Sequence, residues 1–302
     1  MRHKSKEVSR LKIYSELAKV RLTTTVLFSS LIGYVLGTGT THGEEFSWIT
    51  FGLLALGGFL VIASSNGFNQ VYEKDTDKLM KRTENRPLPE GRISATEGLI
   101  FSTLSGIIGI ACLLEINMKS AIYGAISLVL YAAVYTPLKR ISPIAVLVGA
   151  FPGAIPAMIG WLAATDTFGI EPGILFGIQF LWQFPHFWAI AWLQDDEYKK
   201  AGIRLLPSGM RDKRSAYQMM SYSLWLIPLS ILPVILPMVG VESDLKLSYV
   251  GAILVFILGV MVFRDANKLM KECTMEAAKK LMFTCLKYLP LVQIIYLIDK
   301  YV

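Results

Sequence analysis

The sequence predicts an all-α polytopic membrane protein, with nine transmembrane helices in one bundle and the N-terminus in the cytoplasm. Three observations carry this. The 302-residue chain is 53% hydrophobic, has a mean hydropathy of +0.49 and is only 18% charged. Apolar runs of about 20 residues recur along it, each long enough for a hydrocarbon core of roughly 30 Å. Of the 30 Lys and Arg, all but Lys119, Lys246, Lys287 and Lys300 lie in segments 1–21, 73–94, 138–141, 193–216 and 264–280. Those five segments share one side of a nine-span chain, and an excess of cations marks the cytoplasmic side. The C-terminus is then outside.

The first 21 residues are polar and basic, and Ser15–Lys19 reads as a short interfacial helix leading into the membrane. The rest, 22–302, reads as a single transmembrane domain. The spans fall near 22–40, 46–72, 95–115, 120–137, 142–164, 170–192, 217–240, 247–263 and 281–299. All are helices, because an open strand edge leaves its backbone unsatisfied in lipid. The first run is too long, and begins too late, for a cleavable signal peptide. The spans over 95–115 and 120–137 are ordinary apolar helices joined by a tight turn at Asn117. The fifth carries a face of Gly149, Gly153, Ala154, Ala157 and Gly160, with kinks at Pro152 and Pro156. Such a face serves close helix packing or the wall of a cavity. The seventh holds Pro228, Pro233 and Pro237 and is expected to be irregular.

Composition also excludes several classes. Cys112, Cys273 and Cys285 are widely separated and form neither a disulfide framework nor a zinc pattern. The net charge of +7 is explained by membrane topology, so it does not indicate nucleic acid. His3 and His42 read as surface residues of the tail and an outer loop.

Polar chemistry gathers at two span ends. In the stretch from Asn66 to Arg92, Asn69, Glu73 and Asp77 recur every fourth residue and share one helix face. Lys78, Lys81, Arg82, Arg86 and Arg92 follow. Oxygen ligands beside cations suit a divalent metal bound with a polyanion such as diphosphate. A solvated helix end anchored by its charges is the plain alternative. The second cluster follows Trp182, Gln183, Phe184, His186, Phe187, Trp188 and Trp192: Asp195, Asp196 and Glu197, then Lys199, Lys200 and Arg204. An ionisable group within a span is a functional candidate, as metal or haem ligand, base or hydrogen-bond partner, or else a histidine satisfied by a neighbouring helix. The aromatic set around it suits a flat apolar ligand or an interfacial belt. Two acidic clusters across a cavity would bracket a diphosphate through Mg²⁺, with Tyr135, Lys139 and Arg140 joining from the fourth span.

The chain resembles the UbiA-type intramembrane prenyltransferases over essentially its whole length, and within them the branch that farnesylates protohaem IX. The first acidic motif of the superfamily, Asn-x₃-Asp-x₃-Asp, reads Asn69-x₃-Glu73-x₃-Asp77 here, with Glu for the usual first Asp. Asp75, the continuation LMKRTENRPLP, YTPLKR with GAFPGAIPAMIGW, and WQFPHFWAIAWL with EYKKAGIRLLP resemble that branch. The second superfamily motif, Asp-x₃-Asp, is degenerate: alignment on Gly202 and Pro207 places Gln194 and Tyr198 at its two aspartates.

The resemblance implies a bundle around a central cavity open towards lipid, in a bacterial cell membrane, with the active site on the cytoplasmic side. It implies transfer of the farnesyl group of farnesyl diphosphate to a vinyl group of haem b, with addition of water, giving haem O. Haem A synthase is the partner it implies downstream. Mg²⁺ is the implied cofactor, held by Asn69, Glu73 and Asp77 and, on the other wall, by Asp195, Asp196 and Glu197. Lys81, Arg82, Arg86, Lys139, Arg140, Lys199 and Arg204 would meet the diphosphate, and His186, Trp182 and Trp188 the haem. The rival expectations are a prenyltransferase for a quinone-precursor ring and a haem or lipid transporter without chemistry.

Overall fold

The computed structural model describes residues 9–302, so His3 lies outside the described residues. Within them the chain is helical and without strands: α1 Arg10–Leu17, α2 Val20–Gly37, α3 Trp48–Asp77, α4 Ala95–Leu114, α5 Met118–Val129, α6 Thr136–Leu138, α7 Ala145–Thr165, α8 Ile170–Lys200, α9 Lys213–Ser230, α10 Leu232–Ile235, α11 Tyr249–Glu272 and α12 Met275–Lys300. Among the described residues, eight helical runs are long and apolar enough to cross a membrane. A ninth, Lys213–Val239, is bent by 41° at its break. The described spans overlap the nine expected ones, some ending well beyond the expected bounds, and α1 ends at Leu17, so it meets only the first part of the helix expected over Ser15–Lys19.

Local chemistry fixes where the spans begin. Ser47, Asn117, Asp212, Ser248 and Thr274 each accept a backbone N–H of their helix's first turn, and Ser94 with Glu97 closes a capping box. The turn at Asn117 is therefore a cap. His42 is exposed, as expected.

The fifth predicted span, α7, is the centre of the bundle. It buries 72% of its apolar window, whereas the run containing α5 buries 17% and faces outward. The small-residue face does the packing expected of it. A Cβ at Gly160 would lie 1.9 Å from the Ser30 carbonyl oxygen, and one at Gly33 would lie 2.3 Å from that of Ala157. The α2 and α7 backbones therefore touch. Carbonyls along these kinked helices take side-chain donors from their neighbours. Pro156 cannot donate to Pro152, and the Ser127 hydroxyl donates to that oxygen instead at 3.1 Å. Gln179 and Gln183 of α8 donate to the Gly153 and Ala150 carbonyls at 2.9 and 3.0 Å. At the break after α9, Tyr296 donates to the Ser230 carbonyl at 2.5 Å.

One expectation needs correction. The fourth span is not an ordinary helix, because between α5 and α6 it runs as a π-helix over Leu130–Tyr135. The extra residue per turn changes the helical phase. It re-aims Tyr131, Tyr135 and everything after them, including Lys139, and such bulges recur at functional sites.

Candidate active site

The site forms where α3, the α1–α2 elbow, the end of α6 and the loop after α3 meet. Helix α3 runs to Asp77, five residues past its expected end, so Asn69, Glu73 and Asp77 stand on consecutive turns of one helix and are all buried. Asn69 Nδ2 donates to Glu73 Oε2 at 2.8 Å and to Thr136 Oγ1 at 3.3 Å. Glu73 Oε1 pairs with Lys139 Nζ at 2.5 Å. Asp77 Oδ2 pairs with Arg86 Nη1 at 2.8 Å, while Asp77 Oδ1 is buried without a hydrogen-bond partner. Arg140 donates to Thr76 Oγ1 at 3.0 Å and lies 5.5 Å from the Tyr72 ring. The Lys139 ammonium is 4.8 Å from the Tyr135 ring. Carboxylates at this depth are kept only beside cations.

Lys19 completes this wall, although its spacing in the sequence marks it only as a topology cation. It sits between α1 and α2 in the left-handed region, at φ 49°, a strained place for a lysine. Its ammonium donates to Asn69 Oδ1 at 3.1 Å. Burial, then the Arg86 and Lys139 cations, pull its pKa down to about 7. The elbow is gripped by two carboxamides of α3. Gln70 Nε2 donates to the Leu17 carbonyl at 2.7 Å, and Asn66 Nδ2 to Ala18 O at 3.3 Å and Thr23 Oγ1 at 3.2 Å. Arg92 adds an ion pair to Glu16 at 2.7 Å.

The second cluster is placed differently from the expectation. Asp195 is buried and pairs with Lys199 at 2.6 Å, with Arg211 3.9 Å away. Asp196 is exposed and pairs with Arg211 at 3.0 Å. Glu197 accepts the Lys81 backbone N–H at 2.8 Å and pairs with Lys200 at 2.5 Å. Among the described residues no three His, Cys, Asp or Glu side chains gather to hold a metal. Arg82 meets α8 through the Tyr198 hydroxyl at 3.4 Å, and Arg204 is exposed. Lys81 touches α8 through its backbone only. The i, i+4 spacing of Asp195 and Lys199 was the signal for their pairing. Arg211 had none, because it arrives from the following loop.

The aromatic set divides into two stripes. Trp182 and His186 stack at 4.7 Å, and Trp182 Nε1 donates to the Cys285 carbonyl of α12 at 2.6 Å. Trp188 lies on another face, against Phe184 and Tyr222 of α9. His186 Nδ1 and Trp188 Nε1 are buried without hydrogen-bond partners.

The residues suit Mg²⁺ on the α3 wall: hard oxygen donors, one buried carboxylate oxygen unpartnered, and cations placed for a polyanion. Comparison with known proteins then identifies the class. The model of the UbiA prenyltransferase family matches residues 26–286. The chain belongs to the UbiA prenyltransferase family. It is accordingly a membrane-embedded prenyltransferase. Among its relatives are two bacterial proteins named protoheme IX farnesyltransferase, each 48% identical. The one from Christiangramia forsetii aligns over 97% of this chain and 95% of its own length. The one from Flavobacterium johnsoniae aligns over 95% and 94%. The fold is shared with a solved UbiA homologue from Archaeoglobus fulgidus bound to GPP and Mg²⁺, at a TM-score of 0.69 and 16% identity over 94% of this chain and 99% of that one.

Proposed function

We propose that this UbiA-family enzyme is a protohaem IX farnesyltransferase. The single observation that carries this is the 48% identity to proteins of that name over nearly the whole chain. The buried α3 wall gives the reading its chemistry. Farnesyl diphosphate, haem b and water yield haem O, diphosphate and a proton. Haem O passes to haem A synthase. The site faces the cytoplasm of a bacterial cell membrane, the side on which the sequence concentrates its cations.

Asn69, Glu73 and Asp77 would hold Mg²⁺, which would supply Lewis-acid neutralisation of the diphosphate when bound. Arg86, Lys139 and Lys19 line the same wall and take up charge on the departing diphosphate oxygen as the allylic C–O bond breaks. The electron pair of that bond leaves with the diphosphate. The vinyl π-electrons form the new C–C bond to the farnesyl cation, and water adds to the carbocation this creates, releasing its proton. Apolar helices exclude bulk water around the reacting carbons. His186, buried, stacked on Trp182 and with Nδ1 unpartnered, is the α8 group assigned to the haem.

Mass analysis of the product tests the reading. The purified protein with farnesyl diphosphate is expected to convert haem b to haem O and to leave 4-hydroxybenzoate unchanged; the reverse result excludes the assignment. Asp77→Asn is expected to cut turnover by about a hundredfold or more while haem b still binds, measured by single-turnover assay and haem absorbance. Unchanged turnover would remove the metal role from α3.

A further inference from the structure

The α8 end of the site carries a further inference, which rests on the metal–diphosphate reading of α3. Three carboxylates stand there, and each faces a cation or the α3 loop; Asp195 Oδ2, buried, meets Lys199 as an ion pair without a hydrogen bond of its own. Asp195 shares a helix face with Lys199 and is closed by it and by Arg211, whose Nε also holds the Trp192 carbonyl at 2.7 Å. Asp196 points to solvent, its side chain 74% exposed. Glu197 receives the Lys81 N–H and so fastens the loop that leaves α3 to the end of α8. Successive residues on a helix diverge by about 100°, so these three cannot converge on one ion without unwinding α8.

The face left over is that of Gln194 and Tyr198, one turn apart. Tyr198, next to Glu197, also meets the α3 loop. Its oxygen accepts from Arg82 Nη2 at 3.4 Å, and the guanidinium carbon stands 5.9 Å from its ring. With the oxygen accepting from Arg82, its O–H proton is free to be donated. A phenol and a guanidinium held together offer directed donors to phosphate oxygens.

We propose that this enzyme holds metal on the α3 wall alone, and that Tyr198 and Arg82 form the opposite wall of the diphosphate site in place of a second metal ion. Tyr198 donates its O–H to a diphosphate oxygen and remains protonated. Arg82 keeps that hydroxyl aimed. Asp195, Asp196 and Glu197 hold α8, the 201–212 loop and the α3 loop together.

Equilibrium dialysis of the purified full chain with Mn²⁺ and inorganic pyrophosphate tests this, with bound Mn²⁺ counted by electron paramagnetic resonance. One Mn²⁺ per bound pyrophosphate is expected, with half-saturation unchanged within about twofold in Asp196→Asn and Glu197→Gln, as expected of carboxylates outside the metal shell. Tyr198→Phe is expected to weaken pyrophosphate binding about tenfold, the worth of one hydrogen bond to a charged group, with Mn²⁺ affinity and melting temperature unchanged. A second Mn²⁺ that disappears in Asp196→Asn or Glu197→Gln would overturn the proposal. So would a Tyr198→Phe enzyme with unaltered pyrophosphate affinity. Asp77→Asn separates the two levels: if it leaves Mn²⁺ binding intact, the α3 reading itself has failed.

Discussion

Lys19 shows how much of this site is made by single residues acting across the fold. Its backbone is held in the left-handed region, which costs an unbranched residue about 1–2 kcal/mol. Hydrogen bonds from Gln70 and Asn66 to the elbow carbonyls offset that cost and keep the ammonium over Asn69. Gln70 lies beside Asn69 but points to the elbow, so its work is positional. Gln70→Leu is expected to raise the KM for farnesyl diphosphate severalfold with little change in kcat, and to lower stability by about 1 kcal/mol for the lost bonds. Steady-state kinetics and thermal unfolding in one detergent would check both. An equal fall in kcat would place Gln70 in the chemistry instead. The sequence showed the carboxamides and the lysine but not their meeting, because Lys19 and Asn69 are joined only by tertiary packing. Asn69, Glu73 and Asp77 were legible, since three residues at helical spacing share a face wherever the helix lies. The α8 acids were legible as a cluster but not in direction, because adjacent residues on a helix diverge.

At the scale of elements, lipid does most of the specifying. A bilayer admits only helices or closed barrels, so length, apolarity and Pro or Gly interruptions were enough to place every span. The π-helix over Leu130–Tyr135 escaped, because one extra residue in a turn leaves no mark on an apolar run. The α2–α7 crossing makes a strong prediction. Gly160→Ala puts a methyl group 1.9 Å from the Ser30 carbonyl oxygen, a contact that only backbone movement relieves. A loss of about 3 kcal/mol or more is expected, read as a sharply shortened half-life on heating. Gly52→Ala is the control, because its Cβ meets nothing within 4 Å and the change should be neutral or stabilising. The start of α9 depends on Asp212. Burial raises its pKa, but hydrogen bonds from the Ser215 N–H and the Ser208 and Ser215 hydroxyls outweigh this and hold the carboxyl below its usual 3.8. A depressed carboxylate stabilises the fold above its unfolded pKa and loses that contribution as pH falls through the folded one. Asp212→Ala should therefore cost about 1 kcal/mol near neutral pH, and the gap to the parent should close below pH 3.8. Melting curves across pH would show it; a gap independent of pH would mean that the cap acts through shape alone.

At the scale of the whole molecule, the site elements come from distant parts of the chain yet meet at one end of the bundle. Lys19, Asn69 and Thr136 are joined there by hydrogen bonds, and Glu197 holds the loop that continues from α3, each at the same end of its span. In the proposed topology, which follows the cation distribution, that end faces the cytoplasm, and the proposed chemistry requires the same, since a charged diphosphate must reach it from water. Labelling tests both at once. In a chain with Cys112, Cys273 and Cys285 replaced by Ala, a cysteine at exposed Lys246 should react in intact cells with a membrane-impermeant maleimide, and one at Lys200 only after the membrane is opened. Cys285 is fully buried, so the parent without it must first be shown to turn over. Because the spans alternate, the two positions must differ whichever way the bundle lies. A reversed pattern would put the diphosphate wall outside and break the link between charge and chemistry. Equal labelling of both would mean that the bent run over Lys213–Val239 does not cross the membrane, since that run alone separates Lys200 from Lys246.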